Sequence, residues 1–366
     1  MANSPSAVLS ASTALLAPLL NTLDSLQFAG RHLHPPVLPT LVEHLTPLRD
    51  PLVQARADFD AVQWPAHLAD FVSRLSECAD NTLASLDATI GCTQQENPVF
   101  AAYRAMRKAT LARASLYPLS MVLPPVSRFF TSPGVRENES AHQAFTERLQ
   151  RGQNAGGGSA GVMHLRNEPG ERGGASLYVP EYYDGTPMPL IVALHGGSGH
   201  GADFLWSWLV AARSLGAIVL SPTSSSETWS INEPEIDHQH LQGLVERTCE
   251  TYEIDRSKLL LTGMSDGGTF SLLSGLQEDS FATHLAPMAG SFHPMLLEVA
   301  EPGRIRNLPV YLVHGALDWM FPVDSARLAA SALKGAGVNL TYVELADLSH
   351  TFPTEQTERV VTWLQA

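Results

Sequence analysis

The sequence predicts an α/β protein in which a mainly parallel sheet flanked by helices occupies residues 161–366, behind an all-helical N-terminal third. From about residue 161, apolar strand-like runs alternate with helix-compatible segments, as they do where crossover helices join parallel strands. Each run ends in a turn rich in Gly, Ser, His or Asp, the residue types that suit a site at the carboxyl edge of a sheet. Before residue 132 no strand signal occurs, and Pro-bearing connectors separate amphipathic runs.

The N-terminal third reads as helices over 7–28, 36–45, 51–61, 65–90 and 97–116. Leu16, Leu19, Leu20 and Leu23 fall on one helical face, so the apolar opening is expected to be an ordinary amphipathic helix. A secretory signal would need basic residues ahead of its apolar run, and the first charged residue is Asp24. A run this short does not span a bilayer. His32 and His34, two apart, would point to different sides of a helix and are expected to be solvated or capping residues rather than metal ligands. The helical domain, residues 1–132, could cap an active site, offer a surface for homo-oligomers or dock a partner. Residues 133–160 are polar and then glycine-rich, and are expected to form a linker and loop.

In the C-terminal part, 161–165 and 175–180 form two short leading strands, expected as an antiparallel edge. The apolar run 189–194 is a buried strand ending in His195-Gly196-Gly197-Ser198-Gly199, and a helix follows over 203–215. Further strands are expected at 217–221, 258–262, 284–288, 309–313 and 340–345. Helices are expected at 237–252, 269–277, 325–334 and 355–364.

The most informative stretch is Leu259-Leu260-Leu261-Thr262-Gly263-Met264-Ser265-Asp266-Gly267-Gly268. An apolar strand runs into Gly263-x-Ser265-x-Gly267 and then a helix, the arrangement that holds a serine in a strained turn with its hydroxyl exposed at the sheet edge. A serine hydroxyl becomes a strong nucleophile only when an imidazole removes its proton and a carboxylate holds that imidazole. Two later strand ends supply both groups: His314-Gly315-Ala316-Leu317-Asp318 places Asp318 past one strand tip, and Ser349-His350-Thr351-Phe352-Pro353 places His350 in the next loop. Asp347 is nearer to His350 in sequence, but one short loop makes that contact awkward. Asp324 precedes a helix and is expected to cap it or to offset its dipole.

The chain order nucleophile, acid, base on this background resembles the α/β-hydrolase family, in particular carboxylesterases of the phospholipase/carboxylesterase and polyhydroxybutyrate-depolymerase or feruloyl-esterase type. Leu194-His195-Gly196-Gly197, Gly263-Met264-Ser265-Asp266-Gly267-Gly268, His314-Gly315-x-x-Asp318 and Ser349-His350-Thr351-Phe352-Pro353 carry the resemblance, which covers residues 160–366. It implies a triad of Ser265, Asp318 and His350. It also implies an oxyanion hole made by the backbone N–H of Asp266 and one from the glycine turn, Gly197 first and Ser198 as the alternative. The Asp266 side chain is expected to turn to solvent or cap its helix. His195, Ser198, Trp229 and Trp319 are candidate substrate-binding residues, and Phe204, Trp206 and Phe352 are further aromatic candidates near the same edge. The loop 222–231 is long for such a connection and should lie with the catalytic loops.

A net charge of −14 argues against nucleic acid or an anionic membrane as partner, since either would call for a basic face. The three cysteines, Cys78, Cys92 and Cys249, suggest neither a disulfide framework nor a zinc cluster, so a reducing, cytoplasmic setting is expected. His238 and His240, two apart on a predicted helix, do not share a face. The chain is therefore expected to be a cofactor-independent, metal-free serine esterase with a small-molecule ester substrate. The same triad could serve a thioesterase or a peptidase, or survive in a binding protein built on the scaffold.

Overall fold

Leucines at helical spacing fold the first segment: Leu15, Leu19, Leu23 and Leu26 are all buried in one helix, α1 (Pro5–Arg31). Each leucine taken out of water contributes about 2 kcal/mol. The protein, described as a computed structural model, covers residues 5–154, 159–292, 296–297 and 300–366. The glycine run 156–158 lies outside the described residues. The chain divides into two compact units, Met1–Phe130 and Thr131–Ala366.

The first unit continues with α2 (Leu38–Leu45), α3 (Arg49–Asp60), α4 (Ala69–Ile90), α5 (Pro98–Leu116) and α6 (Pro124–Phe129). The predicted helices 36–45 and 65–90 begin later than their prolines, because Pro35–Val37 and Ala66–Leu68 wind as single 3-10 turns. Four of the residues that α5 buries are alanines, Ala102, Ala105, Ala109 and Ala112, and side chains this small let another helix approach closely. Ser85 uses that closeness to donate from Oγ to the Ala105 carbonyl at 3.0 Å. Arg49 and Arg56 tie α3 to α4 through Asp87 and Asp80. Burial pushes the Cys78 thiol up to about 12, so it behaves as a small apolar residue. Among the described residues no helix is long and apolar enough to cross a membrane.

The second unit opens with α7 (Pro133–Glu137) and α8 (Glu139–Asn154), where a linker over 133–160 was expected. Asn138 accepts the Ala141 N–H at 3.1 Å and caps α8, which then turns Phe145 and Leu149, four apart, into the core. Behind them lies a buried ion pair. Arg213 is 0% exposed and reaches Glu181, 11% exposed, at 3.0 Å, with its guanidinium over the Phe145 ring. Tyr182 donates from its hydroxyl to the Arg213 carbonyl at 2.7 Å, and burial pushes that phenol up to about 12.

Eight strands follow: β1 (Gly161–Leu165), β2 (Ala175–Val179), β3 (Met188–Leu194), β4 (Ile218–Pro222), β5 (Ile254–Met264), β6 (His284–Met288), β7 (Pro309–Gly315) and β8 (Asn339–Leu345). They form one sheet in the order β1-β2-β4-β3-β5-β6-β7-β8. The two leading strands pair antiparallel, as expected, and every pair from β4 onward is parallel. Strand β5 begins earlier than predicted: Ile254 pairs with Met188, a register irregularity follows, and the polar residues 255–258 pass through it. The connecting helices are α9 (Gly201–Leu215), α10 (Glu235–Thr251), α11 (Asp266–Gly275), α12 (Pro302–Ile305), α13 (Val323–Gly335) and α14 (Thr354–Gln365). Strand β3 is buried along its whole length, which is why Leu190, Ile191 and Val192 are apolar without alternation. This layering fixes two edges, and the C-terminal ends of β3, β5, β7 and β8 all open on one of them.

Removing Arg213 takes its guanidinium from the largely buried Glu181 carboxylate and leaves the Tyr178 hydroxyl donating to its other oxygen. Arg213→Met is expected to lower the stability of the second unit by about 3 kcal/mol in urea denaturation; a loss below about 1 kcal/mol would mean that Glu181 recovers its solvation from water.

Candidate active site

Strand β5 ends at Met264, and the chain reverses at Ser265 with φ 56° and ψ −120°, outside the regions open to most L residues. Close approach accounts for the glycines around it. A Cβ on Gly263 would come within 2.4 Å of the Gly267 carbonyl oxygen, and one on Gly267 within 2.3 Å of the Leu194 oxygen. A Cβ on Gly268 would come within 2.6 Å of the Met288 oxygen. That same Met288 oxygen accepts the Ser265 N–H at 3.0 Å, so β6 holds the turn from the far side.

At the edge so formed, Ser265 Oγ lies 2.9 Å from His350 Nε2, and His350 Nδ1 lies 2.8 Å from Asp318 Oδ2. With Nδ1–H donating to the carboxylate, Nε2 is left to accept from the serine. Asp318 arrives because Gly315 lets the end of β7 lie against the Leu348 and Ser349 backbone. The N–H groups of Ala316 and Leu317 then donate to the carbonyls of Leu345 and Leu348, so the loop of Asp318 and the loop of His350 are one stitched structure. The other Asp318 oxygen accepts N–H groups from Met320 at 3.0 Å and Phe321 at 2.8 Å, and the carboxylate is buried. His314 backs it: Nε2 donates to the Phe321 carbonyl at 2.8 Å and lies 3.5 Å from Asp318 Oδ2. The Phe321 ring meets His350 edge-on at 5.2 Å. His314, Phe321 and Met288 were absent from the residues chosen from sequence, although the motif at 314–318 pointed at the first.

The glycine turn after β3 closes the other side. A Cβ on Gly196 would lie 3.4 Å from Ser265 Cβ and 4.0 Å from its Oγ, so the turn borders the hydroxyl directly. Gly197 faces Asp266: a Cβ there would come within 2.7 Å of the Asp266 carboxylate. The N–H groups of Gly197 and Asp266 have no hydrogen-bond partner among the described residues. Ser198 differs. Its φ is 54°, and its N–H donates to the Glu227 carbonyl at 2.9 Å, which removes it as the alternative oxyanion donor and leaves its exposed side chain beside the turn.

Several side chains have other work than sequence reasoning gave them. Trp229, expected as an apolar wall for substrate, is 2% exposed; its Nε1–H donates to the His195 carbonyl at 2.8 Å and its ring stacks on Phe270. His195, expected to touch substrate, is 1% exposed, with Nδ1 donating to the Gly196 carbonyl at 2.7 Å and Nε2 accepting the Ser224 N–H at 3.1 Å. Both hold the turn rather than line a pocket, because the loop 223–231 folds down onto β3. Asp266 does not turn to solvent or cap its helix: its carboxylate accepts from Thr228 Oγ1 at 2.6 Å. Trp319 is 39% exposed immediately after the acid. Phe204 and Phe352 meet edge-on at 5.4 Å beside His350, with Trp208 behind Phe352 and Trp206 buried. His238 is engaged at both nitrogens by Ser274 and Asp279. A cavity of about 500 Å³ bordered by Arg148, Tyr182, Met188 and Leu215 opens at the opposite sheet edge, away from Ser265.

Residues 225–366, which carry Ser265, Asp318 and His350, match the phospholipase/carboxylesterase family. The fold is that of the α/β-hydrolases. Among curated relatives, acyl-protein thioesterase 1 of Gibberella zeae is 25% identical over 159 residues, 42% of this chain and 65% of that protein. A bifunctional acetylxylan esterase/xylanase of Neocallimastix patriciarum is 26% identical over 162 residues, 43% of this chain and 23% of that protein. The chain thus spans less than two thirds of the length of either relative. Among solved structures, an esterase of Pyrobaculum calidifontis covers 64% of this chain and 98% of its own, at 18% identity and a TM-score of 0.45.

The turn at Ser265 has no room for a methyl group at its second glycine, Gly267. Gly267→Ala is expected to cost at least about 2 kcal/mol in denaturant melts, because the obstacle is backbone and not a yielding side chain. A variant as stable as wild type would show that β3 and α11 can separate without penalty.

Proposed function

We propose that this α/β-hydrolase cleaves carboxylic esters through an acyl-enzyme on Ser265. The observation that carries the reading is the hydrogen-bonded line from Asp318 through His350 to Ser265 at the carboxyl edge of the sheet. In the proposed reaction, Ser265 Oγ attacks the acyl carbon as His350 Nε2 takes its proton. The imidazolium so formed is stabilised by the buried Asp318 carboxylate, whose second oxygen is already held by two N–H groups. Collapse of the tetrahedral intermediate expels the alcohol, which receives the proton from His350. Water, deprotonated by the same nitrogen, then releases the acid and frees Ser265.

Negative charge on the intermediate would rest on the N–H groups of Asp266 and Gly197. The first lies at the N-terminus of α11, where the helix dipole adds to the donor. One such donor contributes on the order of 3 kcal/mol to the barrier. Acyl thioesters pass through the same intermediate with a better leaving group, and the thioesterase relative supports a reading in which the leaving group is a thiol.

Ser265→Ala is expected to lower the turnover of p-nitrophenyl acetate by about a millionfold while the variant unfolds as cooperatively as wild type. Full activity in the variant would remove Ser265 from the chemistry. Wild-type rates measured in parallel on a matched oxygen ester and acyl thioester decide which leaving group the site serves, and both should vanish with Ser265.

A further inference from the structure

The Gly197 N–H can serve an oxyanion only if a short, exposed, glycine-rich turn is kept in one place. Its two flanks are anchored differently. On the N-terminal side His195 donates to the Gly196 carbonyl, and His195 is itself held by the Ser224 N–H and by Trp229. On the C-terminal side the Gly199 carbonyl accepts from Arg172 Nη1 at 2.7 Å. Arg172 Nη2 donates in addition to Ser224 Oγ and to the Ser226 carbonyl. One guanidinium therefore grips the glycine turn directly and also grips the loop whose Ser224 N–H holds His195.

Arg172 is placed for this by its own loop, which joins β1 to β2 over residues 166–174 and lies against the same segments. Gly173 donates its N–H to the Ser224 carbonyl, Thr223 donates to the Gly174 carbonyl at 2.8 Å, and His200 Nε2 donates to the Glu171 carbonyl at 2.9 Å. Arg166, Gly170 and Gly173 all have positive φ, so the loop is a fixed coil of tight turns. Three acceptors arranged around one side chain match a planar fork of N–H donors, and an ammonium group cannot span them. The strands of this hairpin supply neither nucleophile, acid nor base, so the grip on Gly199 links the antiparallel edge of the sheet to the reaction.

We propose that Arg172 is a positioning residue for the oxyanion turn, setting where the Gly197 N–H points without touching substrate. This rests on the serine hydrolase reading above. Its signature is selective: the transition state loses a donor while ground-state binding is left alone. A displacement of about 1 Å at such a donor is worth about a hundredfold in rate.

The test compares wild type, Arg172→Ala and Arg172→Lys by steady-state hydrolysis of p-nitrophenyl acetate, by the rate at which a fluorophosphonate probe labels Ser265, and by thermal unfolding. The expected result for Arg172→Ala is a kcat lower by about a hundredfold with KM within about twofold, and a parallel drop in labelling rate, since phosphonylation draws on the same donors. Millimolar guanidinium should restore at least about a tenth of the lost kcat in Arg172→Ala, while equal sodium should not. Arg172→Lys, which keeps the charge, should still lose about tenfold, and it keeps the test open if the alanine variant unfolds. Wild-type kcat and labelling rate in both variants would overturn the proposal, and so would a loss that guanidinium cannot restore or one that appears in KM alone. Absence of labelling and hydrolysis in wild type would overturn the hydrolase reading as well, and is distinguishable because it precedes any substitution.

Discussion

The conformation of one residue governs this site. Ser265 at φ 56° and ψ −120° carries strain of about 1–3 kcal/mol, and a chain keeps such strain only where its surroundings leave no alternative. Those surroundings are backbone: the Leu194 oxygen against Gly267, the Gly267 oxygen against Gly263, and the Met288 oxygen receiving the Ser265 N–H while pressing on Gly268. Three adjacent strands, β3, β5 and β6, therefore meet at the turn with no side chain between them. The packing that buries Leu190, Ile191 and Leu261 is what holds the strained geometry, so the stability of the core and the aim of the hydroxyl are one property.

Legibility in the sequence followed from how local each determinant is. Strands β1 and β6 were bounded to the residue, and Ser265, Asp318 and His350, which the fold brings into one hydrogen-bonded line, were singled out because each stands a few residues past an apolar run that announces its own end. Helix α8 was missed because its sequence is mostly polar; the signal was an Asn138 cap and the apolar pair Phe145 and Leu149, four apart, which mean little until a sheet is there to receive them. The roles of His195 and Trp229 were misread for a related reason. Their partners, Ser224 for the first and the His195 carbonyl for the second, lie about thirty residues along the chain, and no periodicity encodes such a meeting. An aromatic or a histidine beside a site motif looks like a substrate contact from sequence, and it becomes a bracket once the loop folds onto the strand.

Electrostatics at the edge are divided rather than uniformly favourable. The Asp318 carboxylate is buried but accepts from Met320, Phe321 and His350, so three N–H donors hold it beside the His350 ring. The Asp266 carboxylate is a different matter, since it lies against Gly197, whose N–H would receive a developing anion. A carboxylate so close would oppose an anion forming there. The Thr228 hydroxyl donating to that carboxylate, together with the α11 N-terminus, offsets part of the opposition. The same contact joins the loop 223–231 to the elbow, so the residue that weakens the field also fastens the walls of the site.

That trade explains why so many hydrogen bonds converge on two short loops. Preorganised donors stabilise a transition state only to the extent that they need not move to meet it, and a turn whose Gly197 and Ser198 are exposed would otherwise wander. Here Ser198 is tied to Glu227, Gly196 to His195, His195 to Ser224 and Trp229, and Asp266 to Thr228. Trp229 continues inward by stacking on Phe270, a residue of the helix that begins one position after Ser265. The bracing thus closes a circuit from the elbow helix through an aromatic pair to the glycine turn and back to the elbow. Both expected donors are referenced to the same rigid body as Ser265, and the precision of the site comes from that closure more than from any single contact in it.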